Sequence, residues 1–118
     1  MKLRSPTRSY AGWLRKLCAQ GYDLGLIYLW LRTPEAAIKR VQDRVQMGGH
    51  DIPEEVIRRR YHKGARNFFA IYQGIATNWV VYDHTVSSAP QLVAVGKGKT
   101  ELSVINQELW IKFCGAGQ

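Results

Sequence analysis

Residues 33–72 read TPEAAIKRVQDRVQMGGHDIPEEVIRRRYHKGARNFFAIY, and this stretch decides the fold. Apolar side chains recur every three or four positions on both sides of the Gly-Gly-His-Asp-Ile-Pro segment at 48–53, which is the spacing of one helix face. The glycines and the proline of that segment interrupt the periodicity and indicate a turn. The stretch therefore predicts two amphipathic helices that form a bent hairpin.

Both helices of this hairpin begin with residues that favour a helix start. Thr33 can accept a hydrogen bond from the free amides of the first turn, and Pro34 fits the first helical position. Asp51 stands three residues before Glu54, which is the spacing of a capping box. We therefore expect the second helix to be capped by Asp51.

The hairpin carries much of the chain's positive charge. Residues 32–72 contain nine Lys or Arg and five Asp or Glu, and nine minus five gives +4, half of the chain's net +8. The sequence pI is near 9.8. Such a charge favours anionic partners, including nucleotide phosphates, polyphosphate and nucleic acid, although basic residues can also serve only to keep a surface hydrated.

The arginines of the hairpin differ in their helix neighbours. The pairs Glu54–Arg58 and Glu55–Arg59 are four residues apart, a spacing that forms ion pairs on an exposed helix face. Arginines without an acid at this spacing are better candidates for binding a ligand, because their guanidinium groups are free to bond two oxygens of one phosphate. Arg44, Arg60 and Arg66 are arginines of this kind.

Size and composition indicate one domain over residues 1–118, with an apolar fraction of 46% that suffices for a core. The two cysteines and three histidines are not spaced as zinc ligands. The longest apolar run, residues 24–31, is far shorter than the roughly 20 residues that span a membrane, so we expect a cytoplasmic protein. Ser5 or Thr7 is the predicted cap of a first amphipathic helix.

Three apolar segments predict the strands of a parallel sheet. Residues 24–31 lack polar alternation, which is typical of a strand buried on both faces, although a buried helix can show the same pattern. Residues 78–83 and 92–95 form the second and third predicted strands. Ligands of open α/β sheets bind beyond the carboxyl ends of strands, so Asp83 and His84 are positioned for a site. An Asp83 that only stabilises the turn is the alternative.

A phosphate-binding motif is only partly present. Gly98-Lys99-Thr100 matches the end of a P-loop, but the full pattern requires a glycine where Val93 stands. We therefore expect a basic β-hairpin turn at these three residues. Asn106 is the predicted cap of a short C-terminal helix.

Several motifs occur in a fixed order along most of the chain. They are Arg8-Ser9-Tyr10, the strand at 26–31, Pro34-Glu35, Arg44-Val45, the block GGHDIPEEVI at 48–57, Arg60-Tyr61, Asn67-Phe68 and Tyr82-Asp83. With these motifs, the sequence from about residue 5 to residue 110 resembles the C-terminal part of the zeta-toxin-like P-loop phosphotransferases, especially the branch described as a predicted ABC-type ATPase. The block at 48–57 is the most specific part of the resemblance.

The resemblance implies an incomplete P-loop-kinase-like parallel sheet with flanking helices, in which the hairpin at about 44–60 is a lid over the nucleotide. It implies that Arg44 and Arg60 contact the phosphates. We expect His50, Arg66 and Asp83 to belong to the same phosphate-binding or nucleotide-binding site. The implied ligand is ATP with Mg²⁺, and the implied whole enzyme is a kinase. The family's Walker A section is absent from this sequence, and His84-Thr85 replace the usual Asn-Ser after Tyr-Asp. We therefore expect binding of nucleotide or polyphosphate without catalysis by the chain alone.

Two other functions stay open at the level of sequence. An incomplete sheet would expose an edge and an apolar face, which favours a non-enzymatic protein-interaction module. Its partner would be a second copy, the missing half of the enzyme or an antitoxin-like protein. A basic nucleic-acid binder is the last alternative, because the sequence contains no recognition motif.

Overall fold

The computed structural model of the protein describes residues 8–117, so the predicted cap at Ser5 or Thr7 lies outside the described residues. The elements, in chain order, are α1 (Arg8–Ala19), β1 (Gly25–Trp30), α2 (Pro34–Gln46), α3 (Glu54–Asn67), a π-helical turn (Phe68–Tyr72), α4 (Gln73–Ile75), β2 (Asn78–Asp83), β3 (Gln91–Lys97), β4 (Glu101–Val104) and α5 (Gln107–Ala116). Residues 24–31 thus contain a strand and not a buried helix.

The four strands form one open mixed sheet in the order β1-β2-β3-β4. β1 and β2 are parallel, whereas β3 and β4 each run antiparallel to the strand before them. The predicted parallel sheet is therefore correct for the first pair and wrong for the rest. The connections at 84–90 and 98–100 are too short for a crossover, which needs a dozen or more residues. The predicted hairpin turn at 98–100 is confirmed.

The helical hairpin is present, and one of its two predicted caps is wrong. Thr33 Oγ1 accepts a hydrogen bond from the amide of Ala36 at 3.1 Å, as predicted, with Pro34 in the first turn. At the start of α3 the cap position is occupied by Pro53, and no side chain caps the helix. Asp51 lies too far before the first helical residue to form the predicted capping box. The carbonyl of Pro53 instead accepts from the amides of Val56 and Ile57.

α3 continues through the π-helical turn into α4, so residues 54–75 form one long helical segment. Within the wider turn the amide of Gln73 bonds to the carbonyl of Phe68, five residues earlier. This extra residue rotates the chain that follows it. Phe68 and Tyr72 are fully buried, whereas Ile71 and Ile75, which stand three and seven residues after Phe68, are only half-buried.

The core lies on one face of the sheet and is rich in aromatic rings. The ring of Phe68 contacts those of Tyr28, Trp79 and Phe113 with centroid distances of 5.4–5.5 Å. Side chains from α1, α3 and α5 pack around them against β1, β2 and β3. The α5 helix begins as predicted, because Asn106 Oδ1 accepts from the amide of Leu109 at 3.1 Å.

The opposite face of the sheet is open. In β1 the exposed fractions are 66% for Ile27 and 56% for Leu29, although both are large apolar residues. The helical layer thus covers one side of the sheet only. Within residues 8–117, none of the helices is both long enough and apolar enough to cross a bilayer.

Candidate anion-binding site

A cleft of about 430 Å³ lies where β1 ends, beneath the hairpin of α2 and α3. Its apolar walls come from the end of β1, from Val41 on α2, from Ile52 in the loop before α3 and from Ile57 in the first turn of α3. β1 and β2 are parallel, so their carboxyl ends meet at this edge of the sheet. This is the place where open α/β sheets bind their ligands. The volume is within the usual range for small-molecule sites.

The polar side chains of the cleft are basic. Arg40 and Arg44 from α2, Arg60 from α3 and His84 from the end of β2 line it, and no Asp or Glu is among its described lining residues. Arg44 and Arg60 are exposed, and neither guanidinium group makes a hydrogen bond or an ion pair with any residue in the described range. The structure therefore brings together two of the predicted phosphate ligands, Arg44 and Arg60, from different helices.

Arg40 is held in place by the loop that follows β2. Its Nη1 donates to Nδ1 of His84 at 2.7 Å, and its Nη2 donates to the carbonyls of His84 and Thr85. Because a guanidinium group only donates, Nδ1 of His84 must accept, and the ring proton lies on Nε2. Arg40 is half-buried, so its charge has a fixed position beside the two free guanidinium groups.

Asp83 is buried beside the cleft and does not line it. Its Oδ2 accepts from Nε of Arg32 at 2.6 Å, and its Oδ1 accepts from the amide and the hydroxyl of Thr85 at 3.0 and 2.6 Å. Burial acts to raise the pKa of Asp83, but the Thr85 hydrogen bonds and the Arg32 ion pair outweigh it and lower that pKa. The carboxylate thus holds the turn after β2 together, as the alternative interpretation expected.

The other two predicted ligands lie elsewhere. His50 is exposed in the loop between α2 and α3 and does not line the cleft. Arg66 lies on the outer face of α3, where it lines a separate groove with Arg59 and Lys63. The hairpin therefore separates the predicted set: Arg44 and Arg60 share the cleft, and His50, Arg66 and Asp83 do not join them there.

The predicted ion pairs along α3 do not form within residues 8–117. Arg58 donates to Oε1 of Glu35 at 2.8 Å, across the hairpin, and not to Glu54 in its own helix. The hydrogen bond from Arg58 lowers the pKa of Glu35. This exposed pair links the start of α2 to α3 and leaves Arg58 outside the cleft.

Two aromatic side chains close the inner end of the cleft. The hydroxyl of Tyr61 donates to the carbonyl of Leu31 at 2.6 Å, which joins α3 to the end of β1. Burial raises the pKa of Tyr61, so this hydroxyl stays protonated at neutral pH. The indole N–H of Trp30 is buried in the same wall without a well-formed hydrogen bond in the described chain.

Arg32 and Arg40 are not among the predicted site residues, and His84 was expected near a site only from its position after a strand. The available signals were the four-residue spacing of Arg40 and Arg44, which puts them on one helix face, and the position of His84 directly after a strand. Nothing local to Arg32 indicates its ion pair, because Asp83 is 51 positions away.

The cleft fits phosphate better than it fits a metal ion held by the protein. Guanidinium groups are suited to phosphate oxygens. Among residues 8–117, no group of three or more His, Cys, Asp or Glu side chains is arranged to hold a metal. The Asp83 carboxylate, next to the cleft residue His84 in sequence, is already bonded by Arg32 and Thr85. The described residues therefore do not provide the expected Mg²⁺ with a protein site.

No protein-family model matches this chain, and neither does any curated protein or any solved structure among those compared. The resemblance to the zeta-toxin-like phosphotransferases therefore rests on the ordered motifs of the sequence. The geometry of the cleft is evidence of a different kind, because it depends on the folded positions of individual side chains.

Proposed function

We propose that this chain binds the phosphate groups of a nucleotide or a polyphosphate in the cleft, as the lid-bearing part of a zeta-toxin-like phosphotransferase. One observation carries the proposal: Arg40, Arg44 and Arg60 converge on one cleft from two helices, and no described acidic side chain lines it. The resemblance adds the expectation that ATP is the natural ligand.

Binding would use the three guanidinium groups differently. Arg40 is held by His84 and needs no rearrangement before it attracts an anion. Arg44 and Arg60 have no partner within the described chain, so they lose no protein contact when they bond to phosphate. Because they belong to α2 and α3, one ligand bonded to both would fix the two arms of the hairpin relative to each other. This is the action expected of a lid.

The proposal is binding and not turnover by the chain alone. Phosphoryl transfer requires a group that positions the acceptor and a strong positive field on the moving phosphoryl group. The cleft offers the positive field of its arginines but no free carboxylate among its described residues. A Mg²⁺ ion would have to arrive with the nucleotide phosphates.

A matched pair of double variants tests the proposal. Arg44→Ala with Arg60→Ala removes two cleft charges, and Arg59→Ala with Arg66→Ala removes two charges from the outer face of α3. Thermal unfolding is measured with ATP, ATP plus Mg²⁺, tripolyphosphate, sulfate and buffer alone. A ligand at 100 times its Kd should raise the free energy of unfolding of the wild type by about 2.7 kcal/mol.

We expect the cleft variant to lose the ATP-dependent shift and the outer-face variant to keep it. The wild-type shift should decrease as salt rises, because the interaction is between charges. If the outer-face variant loses binding while the cleft variant keeps it, the cleft is not the site. If a folded wild type shows no shift with ATP or tripolyphosphate, the proposed function is wrong.

A further inference from the structure

The open face of the sheet is an apolar surface that the fold leaves uncovered. The strand register places Ile27, Val80, Val95 and Ser103 in one row across the four strands. Leu29, Tyr82 and Leu92 form a second row beside it. A trough of about 500 Å³ runs over this face, and every residue that lines it belongs to a strand.

The other face shows how these strands are normally buried. Leu26 and Trp30 of β1 and Val81 of β2 are almost fully buried under the helices. On the open face, Ile27 of β1 is 66% exposed, although it is just as apolar. All-parallel sheets are covered on both faces, and their strands are apolar on both sides; β1, which is paired in parallel with β2, has this continuous apolar sequence. The sequence of β1 thus indicates a second covering layer that residues 8–117 do not supply.

We propose that a second copy of this chain covers the open face, with the two sheets packed against each other about a two-fold axis. The chemistry of the face is self-complementary, because it consists of aliphatic side chains, Tyr82 and small polar groups. Its one described charged side chain is Lys97, at the end of β3. A surface of this kind offers no charge pattern for an acidic or basic partner, whereas an isologous contact needs none.

The area of the face is consistent with a weak dimer. Four strands spaced about 4.8 Å apart and about 20 Å long give a planar patch of about 400 Å² on each copy. Exposed apolar patches of about this size are often functional. Two such patches total about 800 Å², and the relief of the side chains adds to that planar area. This is below the roughly 1,200 Å² of stable specific interfaces and within the range of weak ones, so the dimer we expect is a weak one. Stacked sheets lie about 10 Å apart, so the two open faces can share one apolar layer.

The net charge of +8 does not oppose this arrangement. The three arginines of the cleft and the basic groove formed by Arg59, Lys63 and Arg66 belong to the helical layer. In the proposed dimer the two helical layers are on the outside, separated by two sheets and three layer spacings of about 10 Å each. That separation exceeds the Debye length of about 8 Å at physiological salt.

Sedimentation velocity of the full chain from about 10 µM to about 1 mM tests the proposal. We expect a monomer–dimer equilibrium whose dissociation constant stays the same or decreases as salt rises, because the interface is apolar. Ile27→Asp should weaken the dimer at least about tenfold, since each copy would bury a carboxylate in the interface. Ile111→Asp is the matched control, because Ile111 is 62% exposed on α5, away from the open face, and should leave the dimer unchanged.

Ile27→Thr provides a second variant, which keeps a β-branched residue in the strand. Circular dichroism verifies that every variant is folded. We expect Ile27→Thr to weaken the dimer several-fold. A wild type that stays monomeric over the whole range overturns the proposal and assigns the face to a different chain. A dimer that survives Ile27→Asp in a folded protein also overturns it. Because Arg44 and Arg60 lie in the other layer, their double variant should dimerise normally, which separates this proposal from the proposed function.

Discussion

Two groups of arginines surround the end of β1, and they differ in what holds them. Arg32, Arg40 and Arg58 are each bonded to the protein, through Asp83, His84 and Glu35 respectively. Arg44 and Arg60 stand beside them with no partner in the described part of the chain. The difference separates arginines that stabilise the fold from arginines that are free to bind a ligand. We therefore expect substitutions in the first group to lower the free energy of unfolding and substitutions in the second group to weaken ligand binding.

The largest effect is expected from Asp83→Asn, which leaves Arg32 without its carboxylate and weakens the bonds to Thr85. Breaking a fully buried pair costs about 3–5 kcal/mol, but Arg32 is 39% exposed, so we expect a loss of about 2–3 kcal/mol. Urea unfolding measures it. Asp43→Asn is the matched control, because its pair with Lys39 is on the surface and should change stability by less than about 0.5 kcal/mol. Equal losses for the two variants would contradict the assignment.

A smaller effect is expected from Arg40→Ala, compared with Arg44→Ala one turn further along the same helix face. Arg40 makes charged hydrogen bonds to the loop after β2 and is half-buried, so its removal should cost about 1–2 kcal/mol. Arg44→Ala should stay within about 0.5 kcal/mol of the wild type but weaken the ATP-dependent shift. Urea unfolding and nucleotide-dependent melting measure the two quantities. A destabilised Arg44→Ala would remove the distinction between the two groups.

The smallest effect appears on acidification. The folded-state pKa of Asp83 is below its usual value near 3.8, so its ion pair contributes fully above that value. The contribution is lost as pH falls through the folded pKa, since the unfolded state then binds more protons. The stability difference between the wild type and Asp83→Asn should therefore be constant near neutral pH and shrink below about pH 4. Unfolding by urea between pH 7 and pH 3 measures it, and a difference that grows on acidification would reverse the assigned sign.

Much of the fold was accessible from the sequence because it depends on near neighbours. The Thr33 and Asn106 caps, the helical hairpin and the turn at 98–100 each follow from residues within a few positions of one another. The direction of β3 was not read correctly, because its apolar run resembles that of a parallel strand. Only the shortness of the connection at 84–90 excludes a crossover.

The site was harder to predict than the fold, since its contacts join distant parts of the chain. Arg40 meets His84 across 44 positions, and Arg58 finds Glu35 across 23 positions in place of the acid four residues before it. Helix spacing predicted no partner for Arg44 and Arg60, and their guanidinium groups have none among residues 8–117. Arg66 stands six residues after Arg60, so the two lie on different faces of α3. Helix spacing could not show which of these faces is turned toward the cleft, because that depends on how α3 packs against its neighbours.

The π-helical turn at 68–72 has a consequence for exchanging the hairpin with that of another protein. Each residue advances an α-helix by about 100°. One residue added or removed between Glu54 and Asn67 would therefore rotate the part of α3 before the change by about 100° about the helix axis, relative to Phe68. The turn already contains one surplus residue, and deleting a residue there would bring the two halves of the helix into a single phase. A transplanted hairpin must therefore match this segment in residue number as well as in sequence, or its arginines will face a different direction from those of the original.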